Sequence, residues 1–228
     1  METDDKVQYT LKRRAGQRRI YLRIQGDGSL LVTAGYGPKV EYIDSIVQKK
    51  RDWYHSFTSQ QKVCHDYLEG DQFLLLGKKL VLNIAINAPC SNAQVLGNVL
   101  LLSIRSRTAE TKLKKQLISD EFSRHLSNFL SLRISDWSRR MKIEPSPHFH
   151  LNNAVRQWAS CSSKRELSFS RRVACLDTDL VDYLIVHELC HIFHMNHGPE
   201  FKALLQTVIP DWKERRTRMS RCYLDSFL

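Results

Sequence analysis

At 228 residues, 42% hydrophobic and 26% charged, with 9 Gly and 6 Pro, the chain has a globular composition that excludes disordered and fibrous architectures. Its formal net charge of +11 draws anions, which admits nucleic acid, nucleotides and acidic protein as partners, although the basic residues are dispersed rather than gathered in one block. The opening METDDKVQYT lacks the basic and apolar regions of a secretory signal, no apolar run is long enough to cross a bilayer, and six scattered cysteines contain no C-x-x-C pair. A cytoplasmic location without a membrane partner is expected, with reduced thiols and no zinc ribbon.

In chain order, Val7 to Leu11 and Ile20 to Ile24 read as strands around a basic turn, and Gly26-Asp27-Gly28 separates the second from Leu30-Leu31-Val32. After Gly37-Pro38, Val40 to Gln61 carries Ile43, Ile46, Val47, Trp53, Tyr54 and Phe57 on one broad helical face. Asp71 to Ile86 predicts two strands turning at Gly77-Lys78, and Gly97-Asn98 joins Ala93–Leu96 to Val99–Ile104 as a hairpin. Ala109 to Lys142 has no Gly or Pro and predicts one long helix, closed by Pro145 and Pro147. Two short strands, Phe149–Ala154 and Leu167–Phe169, precede a further helix from Leu180 to Phe193. The expected fold class is α+β, with a β-rich N-terminal part containing one helix over residues 1–107 and an α+β domain holding the chemistry over 108–228.

That last helix contains His187-Glu188-Leu189-Cys190-His191, an H-E-x-x-H motif. An α-helix turns ~100° per residue, so residues four apart lie only ~40° apart around the axis and their imidazoles can converge on one ion. Glu188, one step round, can hold a water on the open side. By chance such a motif is expected only roughly 0.01–0.02 times in a chain of this composition. The surrounding Leu184, Ile185, Val186, Leu189, Ile192 and Phe193 make the helix apolar nearly all round, so it is buried and its polar groups need partners.

Several residues compete to be the third ligand. His194 continues the same stripe and approaches from the same side, which suits a tetrahedron poorly; Glu200 or Glu214 would give a two-histidine, one-carboxylate site. Asn196-His197-Gly198-Pro199 reads as a helix end, a turn and a new helix opened by Pro199, a path that can swing His197 back towards the ion. Cys190 is expected to pack rather than to ligate.

With these residues in view, the chain resembles the YgjP-like family of zinc-dependent metallopeptidases. The matching stretches are Trp158 to Lys164, Leu167-Ser168-Phe169, Asp182 to His191, Asn196-His197-Gly198 with Phe201, and Pro210 to Arg216; the N-terminal basic hairpin and the turn from Leu75 to Lys79 match less specifically. The resemblance implies a zincin-like domain with one Zn2+ per chain on His187, His191 and His197, and Glu188 as catalytic base. It departs at Gln157 and Ala159, where the family usually carries Arg and Gly. His197 to Phe201 is also similar to the SprT-like DNA-associated proteases, whose four-cysteine zinc ribbon has no counterpart here.

The expected function is a zinc-dependent hydrolase, foremost a metallopeptidase acting on peptide or protein. The alternatives are a zinc hydrolase of nucleotides or other phosphorylated small molecules, and a basic nucleic-acid-binding module with a structural metal. By analogy with the family, Gln157 to Ser163 is the candidate strand for pairing with an extended peptide. His194, Arg156 and Tyr223 are candidate oxyanion donors.

Overall fold

A computed structural model of the chain describes residues 6–24, 29–58, 67–106, 108–155, 157–220 and 222. The expected Gly26-Asp27-Gly28 turn, the end of the helix expected to reach Gln61, Cys64, Arg156 and Tyr223 lie outside them. The architecture is α+β, and the chain divides into two compact units, residues 1–63 and 64–228.

In the first unit, β1 (Tyr9–Arg13) pairs parallel with β3 (Leu30–Ala34), and β2 (Tyr21–Ile24) pairs antiparallel with β3 on its other side. Side chains alternate across a strand, so Leu30, Val32 and Ala34 turn to one face and are buried. They meet Ile43 and Val47 of α1 (Val40–Lys49). The single helix expected from Val40 onward is interrupted: Lys50 leaves helical geometry at φ −104°, ψ 11°, and α2 (Arg51–Thr58) follows. Neither Gly nor Pro marks that break.

The second unit opens with β4 (Gln72–Leu75), β5 (Lys78–Ile86), β6 (Asn92–Leu96) and β7 (Val99–Ile104), in the spatial order β4-β5-β7-β6. β4 and β5 join through Leu76-Gly77, both at positive φ (49° and 78°), the geometry whose twist matches a two-residue hairpin. A Cβ on Gly77 would lie 3.0 Å from an Asp177 side-chain oxygen, so the turn sits directly on the residue preceding the motif helix.

The inner face of this sheet, through Leu80, Leu82, Leu100 and Leu102, shares its core with α3 (Thr111–Arg140), a 30-residue helix. Ile118, Phe122, Leu126, Leu130 and Ile134 recur every four residues as its buried stripe. This shared core explains why the units divide at 63/64 and not near 107, where composition shifts: the second sheet buries its apolar face on the helices that follow it.

After α3 come β8 (Phe149–Asn152), β9 (Ala159–Cys161) and β10 (Leu167–Ser170) in the order β8-β10-β9, then a 3-10 turn at Arg171–Cys175. Three helices finish the chain: α4 (Thr178–Cys190), α5 (Pro199–Val208) and α6 (Trp212–Met219). Nine residues of α4 are buried, as expected for a helix apolar nearly all round. Among the described residues no helix is long and apolar enough to cross a membrane.

Candidate metal centre

The motif helix is held from three sides. On α3, Arg133 donates from Nε and Nη2 to the two carboxylate oxygens of Asp182 at 2.7 and 2.6 Å, and Trp137 Nε1 adds a bond to Asp182 at 3.0 Å. On α6, Arg218 reaches Asp177 and Asp179, and Arg215 donates to the Asp179 carbonyl at 2.8 Å. Asp177 is the N-cap by position, yet its side chain makes no cap bond; one of its carboxylate oxygens accepts from Arg218. The third side is β9, through a backbone hydrogen bond from Cys161 to Glu188.

His187 lies on α4 and His191 at its C-cap, one turn apart. Beyond the helix the chain turns, and Pro199 starts α5 at its first position as expected. The turn carries His197 back: its Nε2 lies 3.0 Å from His187 Nε2, and its ring centroid 4.6 Å from that of His191. One ring nitrogen from each of His187, His191 and His197 lies within 4.8 Å of the other two. Nitrogens held ~2.0–2.1 Å from a tetrahedral zinc ion stand about 3.4 Å apart, so the three donors are close enough together to share one such ion.

Protonation supports the same fit. Burial, reinforced by the neighbouring His191, His197 and Arg216, pushes His187 down to about 4, and burial also lowers His197. Both imidazoles are therefore neutral at pH 7, the form that ligates. His191 Nδ1 stands 3.1 Å from the His194 carbonyl, which can only accept, so Nδ1 carries the proton and Nε2 is left as a lone pair. This is the backbone support that commonly orients a metal-ligating histidine. His187 Nδ1 is buried without a hydrogen-bond partner among the described residues, so this ring is placed by packing against Tyr183 and Phe201 and not by an acceptor.

Phe201 of α5 floors the cluster, with its ring centroid 5.0, 4.8 and 4.7 Å from the three imidazoles and only 2% exposed. It closes the underside to water. The spacing of the histidines gave no sign of this role, which depends on α5 folding back beneath them. The other third-ligand candidates stand outside the group. His194 contributes its carbonyl, while its imidazole Nδ1 lies 3.4 Å from Glu200. Glu214 is exposed on α6.

Glu188 is 5% exposed. Burial pushes its carboxyl up to about 7, and a hydrogen bond from the Cys161 backbone pulls the other way. Cys161 belongs to β9, the edge strand of its sheet and the core of the segment expected to meet peptide. The bonds from Ser170 N–H to the Trp158 carbonyl and from Ser162 N–H to the Glu166 carbonyl fix the alternation along this edge. Ser160 faces β10, and the backbone groups of Ala159 and Cys161 face away from it. Cys190 is fully buried, and burial with nearby Glu188 pushes its thiol up to about 12, the state of a packing residue.

The profile of the YgjP-like metallopeptidase domain matches residues 18–222. The chain belongs to the YgjP-like family. The match spans both compact units, and the family is one of metallopeptidases, which sets the activity class as metal-dependent peptide hydrolysis. No curated protein matches the chain. Among solved structures, it is similar to the crystal structure of the metallopeptidase zymogen of Methanocaldococcus jannaschii jannalysin, at 23% identity and a TM-score of 0.37, over 40% of this chain and 94% of that one. Within the YgjP-like frame, Ala159 lies on β9 and Gln157 just before it, so both departures from the usual family residues fall at the edge beside Glu188.

Proposed function

We propose that this YgjP-like protein is a zinc-dependent metallopeptidase in which His187, His191 and His197 hold the ion and Glu188 is the general base. The observation that carries the reading is the convergence of three imidazoles, His187 held neutral by burial, beside a buried carboxylate. Only three protein donors gather there among the described residues, and a three-ligand set leaves a position for water, as catalytic sites do and closed structural sites do not. A zinc ion so held acts as a Lewis acid and brings the pKa of water from ~15.7 towards ~7.

The rest belongs to the chain. A carboxylate at about 7 is balanced between taking a proton and giving it back, so Glu188 accepts one from the attacking water and delivers it to the departing amine. The outward-facing backbone groups of Ala159 and Cys161, other than the Cys161 N–H that Glu188 takes, offer an extended peptide a strand to pair with, which lays the scissile bond across the site. Phe201 keeps bulk water from the underside of the imidazoles.

Purified protein should carry about one zinc per chain. Glu188→Gln should retain it and lose at least 100-fold in peptide turnover, on the order of the contribution of one general base. His197→Ala should lose the metal. Full activity in Glu188→Gln removes the base assignment, and zinc retained by His197→Ala removes the third ligand.

A further inference from the structure

The first compact unit carries a surface that peptide hydrolysis does not use. Residues 6–24 contain no Asp or Glu. Two of the cations there are occupied: Lys6 lies 4.0 Å from Asp44, and Arg13 donates to the Gly35 and Pro38 carbonyls. Four others, Lys12, Arg14, Arg19 and Arg23, are exposed, and among the described residues none is held in an ion pair.

Strand alternation puts Lys12 and Arg23 on one face, and Arg14 and Arg19 stand at its end. Leu30, Val32 and Ala34 of the central strand face the core, so Leu31 and Thr33 face outward. The register sets Lys12 opposite Thr33 from β1, and Tyr21 and Arg23 opposite Thr33 and Leu31 from β2. Arg14 continues the parity of Lys12, its N–H still bonded to the Ala34 carbonyl. Arg19, exposed at the bend two residues before Tyr21, lies at the start of this edge. The result is a shallow lane over Leu31 and Thr33, bordered by cations on both outer strands, with the Tyr21 ring 54% exposed beside it. Both helices follow β3 in the chain, and α1 packs on the opposite, core-facing side.

We propose that this face binds single-stranded nucleic acid, its phosphates on Lys12, Arg14, Arg19 and Arg23 and a base stacked on Tyr21. Unpaired cations flanking an open aromatic ring form the combination that holds single strands without reading their sequence. A lipid surface would meet the same charges and would give the ring no stacking partner.

The test uses the full chain and a fluorescein-labelled oligothymidylate of about 12 nucleotides, followed by anisotropy across a salt series. Four phosphate contacts on a single strand predict a slope of log K against log salt of roughly −3, or a roughly 50-fold loss of affinity between about 50 and 200 mM salt. Arg19→Gln with Arg23→Gln should flatten that slope by about 1.4. Tyr21→Ala should weaken binding roughly 5- to 150-fold with the slope unchanged, the range for losing one stacked base. Tyr21→Phe, which keeps the ring and the strand propensity, should bind as the parent does, separating stacking from any failure of Tyr21→Ala to fold. Binding indifferent to Tyr21→Ala, or capture by phosphatidylserine vesicles with no oligonucleotide binding, overturns the proposal.

Discussion

Glu188 shows what a buried carboxylate costs its own fold. Burial raises its pKa from the ordinary 4.5 to about 7, against the pull of the Cys161 amide. A folded-state pKa above the unfolded one leaves stability intact below about 4.5 and removes it as pH rises through about 7, because the folded chain must then ionise a desolvated group. Over that span the loss is about 3 kcal/mol. In metal-free protein, Glu188→Gln should therefore be more stable than the parent at pH 8 by up to about 3 kcal/mol, with the gap shrinking towards pH 5. Urea unfolding in chelator at the two pH values measures it, and a gap of equal size at both would mean that Glu188 is solvated. At this scale the sequence was legible wherever one helix fixed the geometry. The convergence of His187 and His191 follows from ~100° per residue, and the return of His197 from the turn before Pro199. Phe201 and the His194 carbonyl were not legible as site elements, because each role is set by how the chain folds back after α4.

Among the elements, the one that matters most to the site is the clamp between α3 and α4. Arg133 and Asp182 make a two-pronged ion pair with side chains 30% and 15% exposed, and Trp137 satisfies Asp182 further. Asp182 precedes His187 by five residues on the same helix, so the clamp fixes the rod that carries the imidazoles. Asp182→Ala should cost about 2 kcal/mol, less than for a fully buried pair because Arg133 keeps some water. Arg139→Ala, which removes a bond to Asp136 of 2.8 Å from an arginine 78% exposed and leaves Asp136 its Arg140 partner at 2.9 Å, should cost at most ~0.5–1 kcal/mol. Denaturant melts of the two variants compare burial with contact length directly; equal losses would show that burial is not what gives the clamp its worth. The existence of α3, α4 and the hairpins at Gly77 and Gly97 was legible because periodicity and turn residues are local signals, whereas the expected N-terminal basic hairpin does not form, since β1 and β2 each pair with β3. The parallel pairings of β1 with β3 and of β5 with β7 were not, since strand partners distant in sequence leave no local trace. Nor was the break at Lys50, a residue with no turn-forming character of its own.

For the whole molecule, the division matters more than the element count. Composition changes near residue 107, but burial joins the second sheet to the helices after it, and the three histidines that could hold a metal all lie in 64–228. A ligand that binds only the folded state stabilises it by RT ln(1 + [L]/Kd), about 2.7 kcal/mol at 100 times Kd. For a unit of this size that corresponds to a rise of about 5–10 °C in melting temperature. Zinc added to chelator-treated protein should produce such a rise. Hydrogen exchange should show where it acts, because protection follows the local structure that the ion ties together. The slowing should concentrate in the peptides of α4, the turn through His197 and the first turns of α5. It should leave β1, β2 and β3 unchanged, since their core, from Val7 to Val47, contains none of the residues that gather at the site. Slowing spread evenly over both units would mean that zinc is acting on the surface as a whole, and the three imidazoles would no longer be its binding site.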